Sequence, residues 1–288
     1  MSSALVLLFA VTALPPDQVV LSVTQAHGLA DALFVDTRSR EAFQAGHVPG
    51  ATHLDPQTLS EKRGEVVGLL KPFAELKKIL AAAGVDPARH IVVYSDTYEV
   101  SNFKDAARLF WILEYLSYPR VSVLDGGFAA WKDAGLPVES GEGQVKALDV
   151  ATLEINPTPE RYARSEDVIR AIAEQKAILL DLRSAEQFCG ITKSDVVATA
   201  SHIPSAINLP VTDLVSTEKR GIQPMEIVSK LLADVVGGDR KRPIVTYCNT
   251  GREAAVGYLV LRAAGYENVA LYDGSMAEWS HLPTATIK

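Results

Sequence analysis

Cys248 closes the apolar run Ile244-Val245-Thr246-Tyr247 and opens the polar hexapeptide Cys248-Asn249-Thr250-Gly251-Arg252-Glu253, after which helical periodicity begins at Ala254. A buried strand that ends in cysteine, turns through a short loop and re-enters a helix sets the sulfur over the main-chain N–H groups of a helix N-terminus. Those groups and the helix dipole favour an anion, so the pattern predicts a nucleophilic thiolate. Gly251 lets the backbone curl so that successive N–H groups converge on the sulfur. Arg252 is the loop's basic side chain and is assigned to binding an anionic substrate or to holding the thiolate form. As a plain solvated charge it would oppose the helix dipole. Glu253 would repel a thiolate if it pointed inward. It is expected to face outward as a first-turn acid of the helix, or to pair with Arg252 or another base.

Composition narrows what this sulfur can do. The chain of 288 residues has only Cys189 and Cys248, too few for a disulfide scaffold or a zinc cluster, so no metal and no cofactor is expected. A formal net charge of −7 argues against nucleic acid or an anionic membrane as partner, and an anionic substrate must find its positive charge locally. At 48% hydrophobic the chain is long enough for two domains with separate cores. The first 13 residues form an apolar run too short to span a bilayer and followed by Leu14-Pro15-Pro16. This reads as the apolar part of a secretory signal, lacking the basic region that precedes one. The alternative is the apolar first strand of a cytoplasmic protein. Export to a periplasm is the expectation, cytoplasmic location the alternative.

The elements that position Cys248 occur twice. Phe34-Val35-Asp36-Thr37-Arg38-Ser39 is echoed by Leu179-Leu180-Asp181-Leu182-Arg183-Ser184. Gly46-His47-Val48-Pro49-Gly50-Ala51 pairs with Ser201-His202-Ile203-Pro204-Ser205-Ala206, and Glu61-Lys62-Arg63-Gly64 with Glu218-Lys219-Arg220-Gly221. Val92-Val93-Tyr94-Ser95 pairs with Val245-Thr246-Tyr247-Cys248, and Leu124-Asp125-Gly126-Gly127 through Trp131 with Tyr272-Asp273-Gly274-Ser275 through Trp279. A repeat of half the chain is duplication of a whole domain. Within each half, short Val/Ile/Leu runs alternate with helical patterns at 74–83, 105–115, 225–236 and 253–264, the signature of a parallel sheet flanked by helices. The boundaries expected are a signal peptide or unstructured N-terminus at 1–16, a first domain at 17–138, a linker rich in Gly, Pro and charge at 139–159, and a second domain at 160–288.

Repetition also weighs the other candidates. Asp181 and Arg183 have the chemistry of a catalytic pair, but Asp36 and Arg38 repeat them in the half without a cysteine, so a buried ion pair is the leading reading. Arg183 is kept as a candidate for substrate binding. His47 and His202 share a repeat position and are read as structural. Lys219 and Arg220 are a solvated turn first and a substrate rim second, since Lys62 and Arg63 repeat them. Cys189 lies in the insertion 188–200, either as a resolving thiol or as an incidental small residue.

The strand followed by Asp-x-Arg, the Gly-His-x-Pro-Gly-Ala turn, the strand ending in Cys and the terminal Asp-Gly-Gly…Trp together resemble the two-domain rhodanese-like sulfurtransferases, over nearly the whole chain from Val20 to Pro283. The resemblance implies two tandem rhodanese-like α/β domains, the first inactive with Ser95 at the cysteine position and the second active through Cys248. It implies transfer of a sulfane sulfur from a small anionic donor such as thiosulfate to a thiophilic acceptor, cyanide, a thiol or a dithiol, through a persulfide on Cys248. Asn249, Thr250, Gly251, Arg252 and Glu253 would form the loop that binds substrate and persulfide, in a monomer. Three departures bear on the donor. The family's sixth loop position is typically a hydroxyl residue, where this chain has Glu253. Asn249 and Thr250 match neither the basic residues of thiosulfate-type loops nor the Gly and Ser of mercaptopyruvate-type loops. Gln187 stands about where a further substrate-binding Arg would fall. Alternatives are a 3-mercaptopyruvate sulfurtransferase and a non-catalytic sulfur carrier or anion-binding module. A cysteine phosphatase would need an Arg after five intervening residues, where this chain has Ala254.

Overall fold

The computed structural model describes residues 14–96, 100–216 and 221–283. The apolar N-terminal run read as an export signal, and Lys219 and Arg220, lie outside the described residues. In the first half the strands are β1 (Val20–Leu21), β2 (Ala32–Asp36), β3 (Thr52–His53), β4 (Ser60–Arg63), β5 (Val66–Leu70), β6 (His90–Tyr94) and β7 (Val121–Leu124). The helices are α1 (Val23–His27), α2 (Arg40–Ala45), α3 (Phe73–Ala82), α4 (Val100–Tyr115) and α5 (Gly127–Asp133). The second half repeats them with β8 (Tyr162–Ala163), β9 (Ile178–Asp181), β10 (Ile207–Asn208), β11 (Val215–Ser216), β12 (Gly221–Ile222), β13 (Ile244–Tyr247) and β14 (Val269–Tyr272). Its helices are α6 (Ser165–Glu174), α7 (Ala185–Phe188), α8 (Met225–Val236), α9 (Arg252–Ala263) and α10 (Ser275–Trp279).

The unalternating apolar runs become all-parallel strands buried on both faces, as the central strands of a helix-covered sheet must be. The first sheet has the order β1-β7-β6-β2-β3 and the second β10-β9-β13-β14-β8, so each strand of one has its counterpart in the other. Val35 lies level with Val93 in the first sheet, and Tyr247 with Asp181 in the second. Phe43, Phe128 and Trp131 pack on the outer face of the first sheet, and Val168, Met276 and Trp279 on that of the second. The inner faces share one apolar core that runs from one half into the other.

Helices α4 and α9 form that junction. From Ala254 to Arg262 every residue of α9 is buried, so that stretch carries no solvent face. Tyr258 packs against Phe110 and donates its hydroxyl to Glu114 Oε2 at 2.5 Å, while Arg262 closes on the same carboxylate at 3.2 Å. Two hairpins cross the junction in opposite directions. The amide of Leu70, at the end of β5, donates to Asp273 Oδ2 of the second half at 2.8 Å. The amide of Ile222, on β12, donates to Asp125 Oδ1 of the first at 3.4 Å. Each half thus caps the carboxylate that follows the last strand of the other.

Candidate active site

β13 delivers Cys248 to the inner end of the sheet, and the chain turns at Gly251 with φ +79° before α9 begins. The helix starts at Arg252, two residues earlier than its periodicity implies, because the left-handed Gly251 serves as its N-cap. A side chain at 251 would strain that conformation and would bring its Cβ to 2.6 Å from Arg108 Nη1. α10 pins the loop from below: Ser275 Oγ accepts from the Cys248 amide at 3.2 Å, and the amides of Met276 and Ala277 donate to the carbonyl oxygens of Cys248 and Asn249.

The main-chain amides of Ala254, Thr250 and Glu253 pull the pKa of the Cys248 thiol down. That pull toward the thiolate is opposed by the surroundings of the sulfur. Cys248 is 1% exposed, and burial, reinforced by the Glu253 carboxylate, pushes its thiol above the usual cysteine range against the pull of the three amides. The three amides thus favour an anion on the sulfur, while burial and the Glu253 carboxylate oppose it. The sequence reading counted the donors; the opposing desolvation comes from the packing around Cys248.

The two charged loop residues do not serve each other. Arg252 Nη2 lies 2.5 Å from Asp105 Oδ1 on α4, with the arginine side chain 40% exposed. Burial raises the pKa of Asp105, against the opposing pull of Arg252. Glu253 is met by Lys104 Nζ, also on α4, at 2.9 Å. Asn249 Nδ2 donates to Gln187 Oε1 at 2.9 Å, so the residue standing where a further arginine would fall is tied to the loop. Thr250 and Arg252 line an open cleft of about 290 Å³ whose other walls include Lys62, Gly68, Asp105 and Arg108 from the first half. Cys248 is not among the residues that line this cleft.

The first half holds the same frame without the sulfur. Asp36 and Arg38 pair at 2.6 Å, as do Asp181 and Arg183, with the guanidinium also donating to the carbonyl of Gly46 in one and of Ser201 in the other. His47 stacks on Phe43 with Nδ1 2.8 Å from its carbonyl oxygen, and His202 repeats this on Phe188 at 2.9 Å. Tyr94 and Tyr247 each accept an amide through the hydroxyl, from Val48 and Ile203. Residues 22–134 and 165–282 each match the rhodanese-like domain. The chain belongs to the rhodanese-like domain family. It is 29% identical over 261 residues to the 3-mercaptopyruvate sulfurtransferase of Escherichia coli K12, covering 88% of each chain. It is 27% identical over 258 residues to the thiosulfate sulfurtransferase of Azotobacter vinelandii, covering 90% of this chain and 91% of that one. Its fold is that of the anaerobic ergothioneine biosynthesis enzyme of Chlorobium limicola, solved with trimethyl histidine, at a TM-score of 0.83 and 21% identity over 94% of this chain and 70% of that one.

Within this tandem rhodanese-like frame, Arg183, the candidate for substrate binding, is read instead as a buried structural cation: it is 1% exposed, with Nε and Nη2 donating to Asp181 and Nη2 also to the Ser201 carbonyl. Cys189 is exposed in the insertion, which is fastened to the end of α10 by the Ala198 amide donating to Ser280 Oγ. The residues that sequence reasoning missed are Lys104, Asp105 and Arg108, on the repeat counterpart of α9. The signal was present as three charges at helical spacing along one side of a largely apolar segment.

Proposed function

We propose that the chain is a thiosulfate-type sulfurtransferase in which Cys248 carries the sulfur. The observation that supports this most directly is a cysteine set between the end of β13 and the left-handed Gly251 that opens α9, a strand-to-helix junction whose main-chain amides favour an anion. Membership of the rhodanese-like family and relatives bearing both sulfurtransferase names support the class of reaction. Once ionised, the Cys248 sulfur attacks the outer sulfur of thiosulfate. The S–S bond of the donor breaks with its electron pair leaving on sulfite, and the enzyme keeps a Cys248 persulfide anion. A thiophilic acceptor such as cyanide then takes the outer sulfur as thiocyanate, and the Cys248 thiolate returns. Charge is conserved in both steps, and each leaves an anion on the same sulfur chain, which is what preorganised main-chain donors stabilise without a metal. Arg252, 40% exposed on the cleft wall, is the loop's own cation for an anionic donor in a chain of net charge −7, and a bound donor would share it with Asp105.

3-Mercaptopyruvate is the second reading for the donor, favoured by the E. coli and mouse relatives of that name, the latter 28% identical over 243 residues. Intact mass after exposure to each donor, followed by cyanide, tests both. A gain of one sulfur that disappears on adding cyanide is expected, and Cys248→Ser abolishes it while leaving the far-UV circular dichroism unchanged. Wild-type turnover in Cys248→Ser refutes the assignment. Arg252→Ala raises the KM for the donor more than it lowers kcat, and an unchanged KM removes the charge role from that arginine.

A further inference from the structure

Both charged side chains of the active loop are held by adjacent residues of a helix from the half that has no cysteine. Arg252 goes to Asp105 and Glu253 to Lys104, a crossed pair of contacts at 2.5 and 2.9 Å. One turn further along α4, Arg108 fixes the register: Nη2 donates to Gly68 O at 3.0 Å and pairs with Asp273 at 2.5 Å, while Nη1 abuts Gly251. Residues 104, 105 and 108 share one side of the helix, and that side faces the loop. We propose that Lys104 is a positioning residue for Cys248: by gripping the Glu253 carboxylate it holds the loop's one acid in place and neutralises it beside a sulfur that must become an anion. The inference rests on Cys248 being the nucleophile.

The neighbouring charges show why this falls to Lys104. Around the loop stand Asp181 with Arg183 after β9, Asp273 with Arg108 after β14, and Asp105 with Arg252, each carboxylate in contact with a guanidinium. Glu253 alone among these is matched by an amine, with 23% of its side chain still exposed against 21% for Lys104. Glu253 is also the carboxylate that raises the Cys248 thiol after burial itself. An acid at this place is thus tolerable when its charge is answered from outside the loop, and the first half supplies the answer. Its lack of a cysteine does not make it idle.

The test is the pH dependence of Cys248 alkylation by iodoacetamide, read by peptide mass mapping so that the exposed Cys189 is scored separately. Wild type, Lys104→Met, Lys104→Arg, Glu253→Gln and the Lys104→Met/Glu253→Gln double variant are compared, each first shown to keep the wild-type thermal midpoint. Lys104→Met is expected to raise the alkylation midpoint by about one pH unit, roughly a tenfold loss of thiolate below it, and Lys104→Arg to leave it in place. Glu253→Gln is expected to lower the midpoint, and in that background Lys104→Met should move it by less than about 0.3 unit, since residues in direct contact are non-additive and the carboxylate through which Lys104 acts is gone. An unchanged midpoint in Lys104→Met overturns the proposal, and so does an equal shift in both backgrounds, which would make the lysine a bystander charge acting on the sulfur directly. Should wild-type Cys248 take up no sulfur from thiosulfate, the transfer reading fails, while the alkylation cycle still decides the part played by Lys104.

Discussion

Arg108→Met should loosen the whole molecule, although position 108 lies in the half without the nucleophile. The arginine is 3% exposed and its partner Asp273 is fully buried. Its guanidinium also lies 4.5 Å from the centre of the Trp111 ring and donates to Gly68. Methionine keeps much of the stem's packing and removes the charge, leaving Asp273 with the Leu70 amide at 2.8 Å and the Tyr162 hydroxyl at 3.2 Å. Removing one member of a buried pair costs about 3–5 kcal/mol, and the two surviving donors put this case near ~3 kcal/mol. For a chain of this size ~3 kcal/mol corresponds to a fall in Tm of roughly 6–12 °C. Differential scanning calorimetry measures it, with Asp273→Asn and the double variant completing a cycle whose coupling should exceed ~1.5 kcal/mol. A loss below ~1 kcal/mol in Arg108→Met refutes the reasoning. So does a thermogram with two separate transitions of which only the earlier moves, because the pair would then not tie one half to the other.

Three further outcomes are expected. Because burial and Glu253 hold the Cys248 thiol up, the thiolate fraction grows with pH and kcat/KM should rise along a limb whose midpoint lies above ~8.5, the ordinary cysteine value. A midpoint below it in a pH–rate profile contradicts the dominance of desolvation over the amide cradle. Gly251→Ala places a Cβ on the Arg108 guanidinium at a φ of +79°, and should cost about 1–2 kcal/mol in urea unfolding while reducing sulfur uptake at least tenfold, about 1.4 kcal/mol or more. Equal activity in the alanine variant would show that the turn tolerates a side chain. Arg183→Met and Arg38→Met should destabilise alike, by about 3–5 kcal/mol each. A rise in donor KM in stable Arg183→Met would restore the binding role withdrawn from that residue.

How much of the fold and the site is legible in the sequence depends on range. The strand, the cysteine and the turn are contiguous, and each signals locally: continuous apolar residues for β13, Gly251 for the left-handed turn. The duplication is legible because it repeats side chains with fixed structural duties, Asp36 with Arg38 as Asp181 with Arg183, and a histidine stacked on a phenylalanine in both halves. The start of α9 reads late because Arg252 and Glu253 look like loop residues until their partners are known. Those partners, Lys104 and Asp105, stand half a chain away, and no local pattern couples a loop to a helix at that distance. The upward push on the Cys248 thiol escapes the sequence for a related reason: the amide donors follow from the turn, whereas desolvation is a property of everything packed around it.

The exchange of hairpins has a bearing on ancestry and on truncation. A lone ancestral copy would have left the carboxylate after its last strand bare unless it self-associated about a two-fold axis, each subunit covering its mate. Fusing two copies into one polypeptide made the arrangement permanent and released one of them from keeping a sulfur, but not from supplying its ribbon and its helix. An excised C-terminal fragment, though it retains the nucleophile, would reach solution with Asp273 stripped of Leu70 and Arg108 and with the flank of α9 uncovered. Such a fragment is set to aggregate or to pair with itself, so the smallest unit worth expressing is the full tandem.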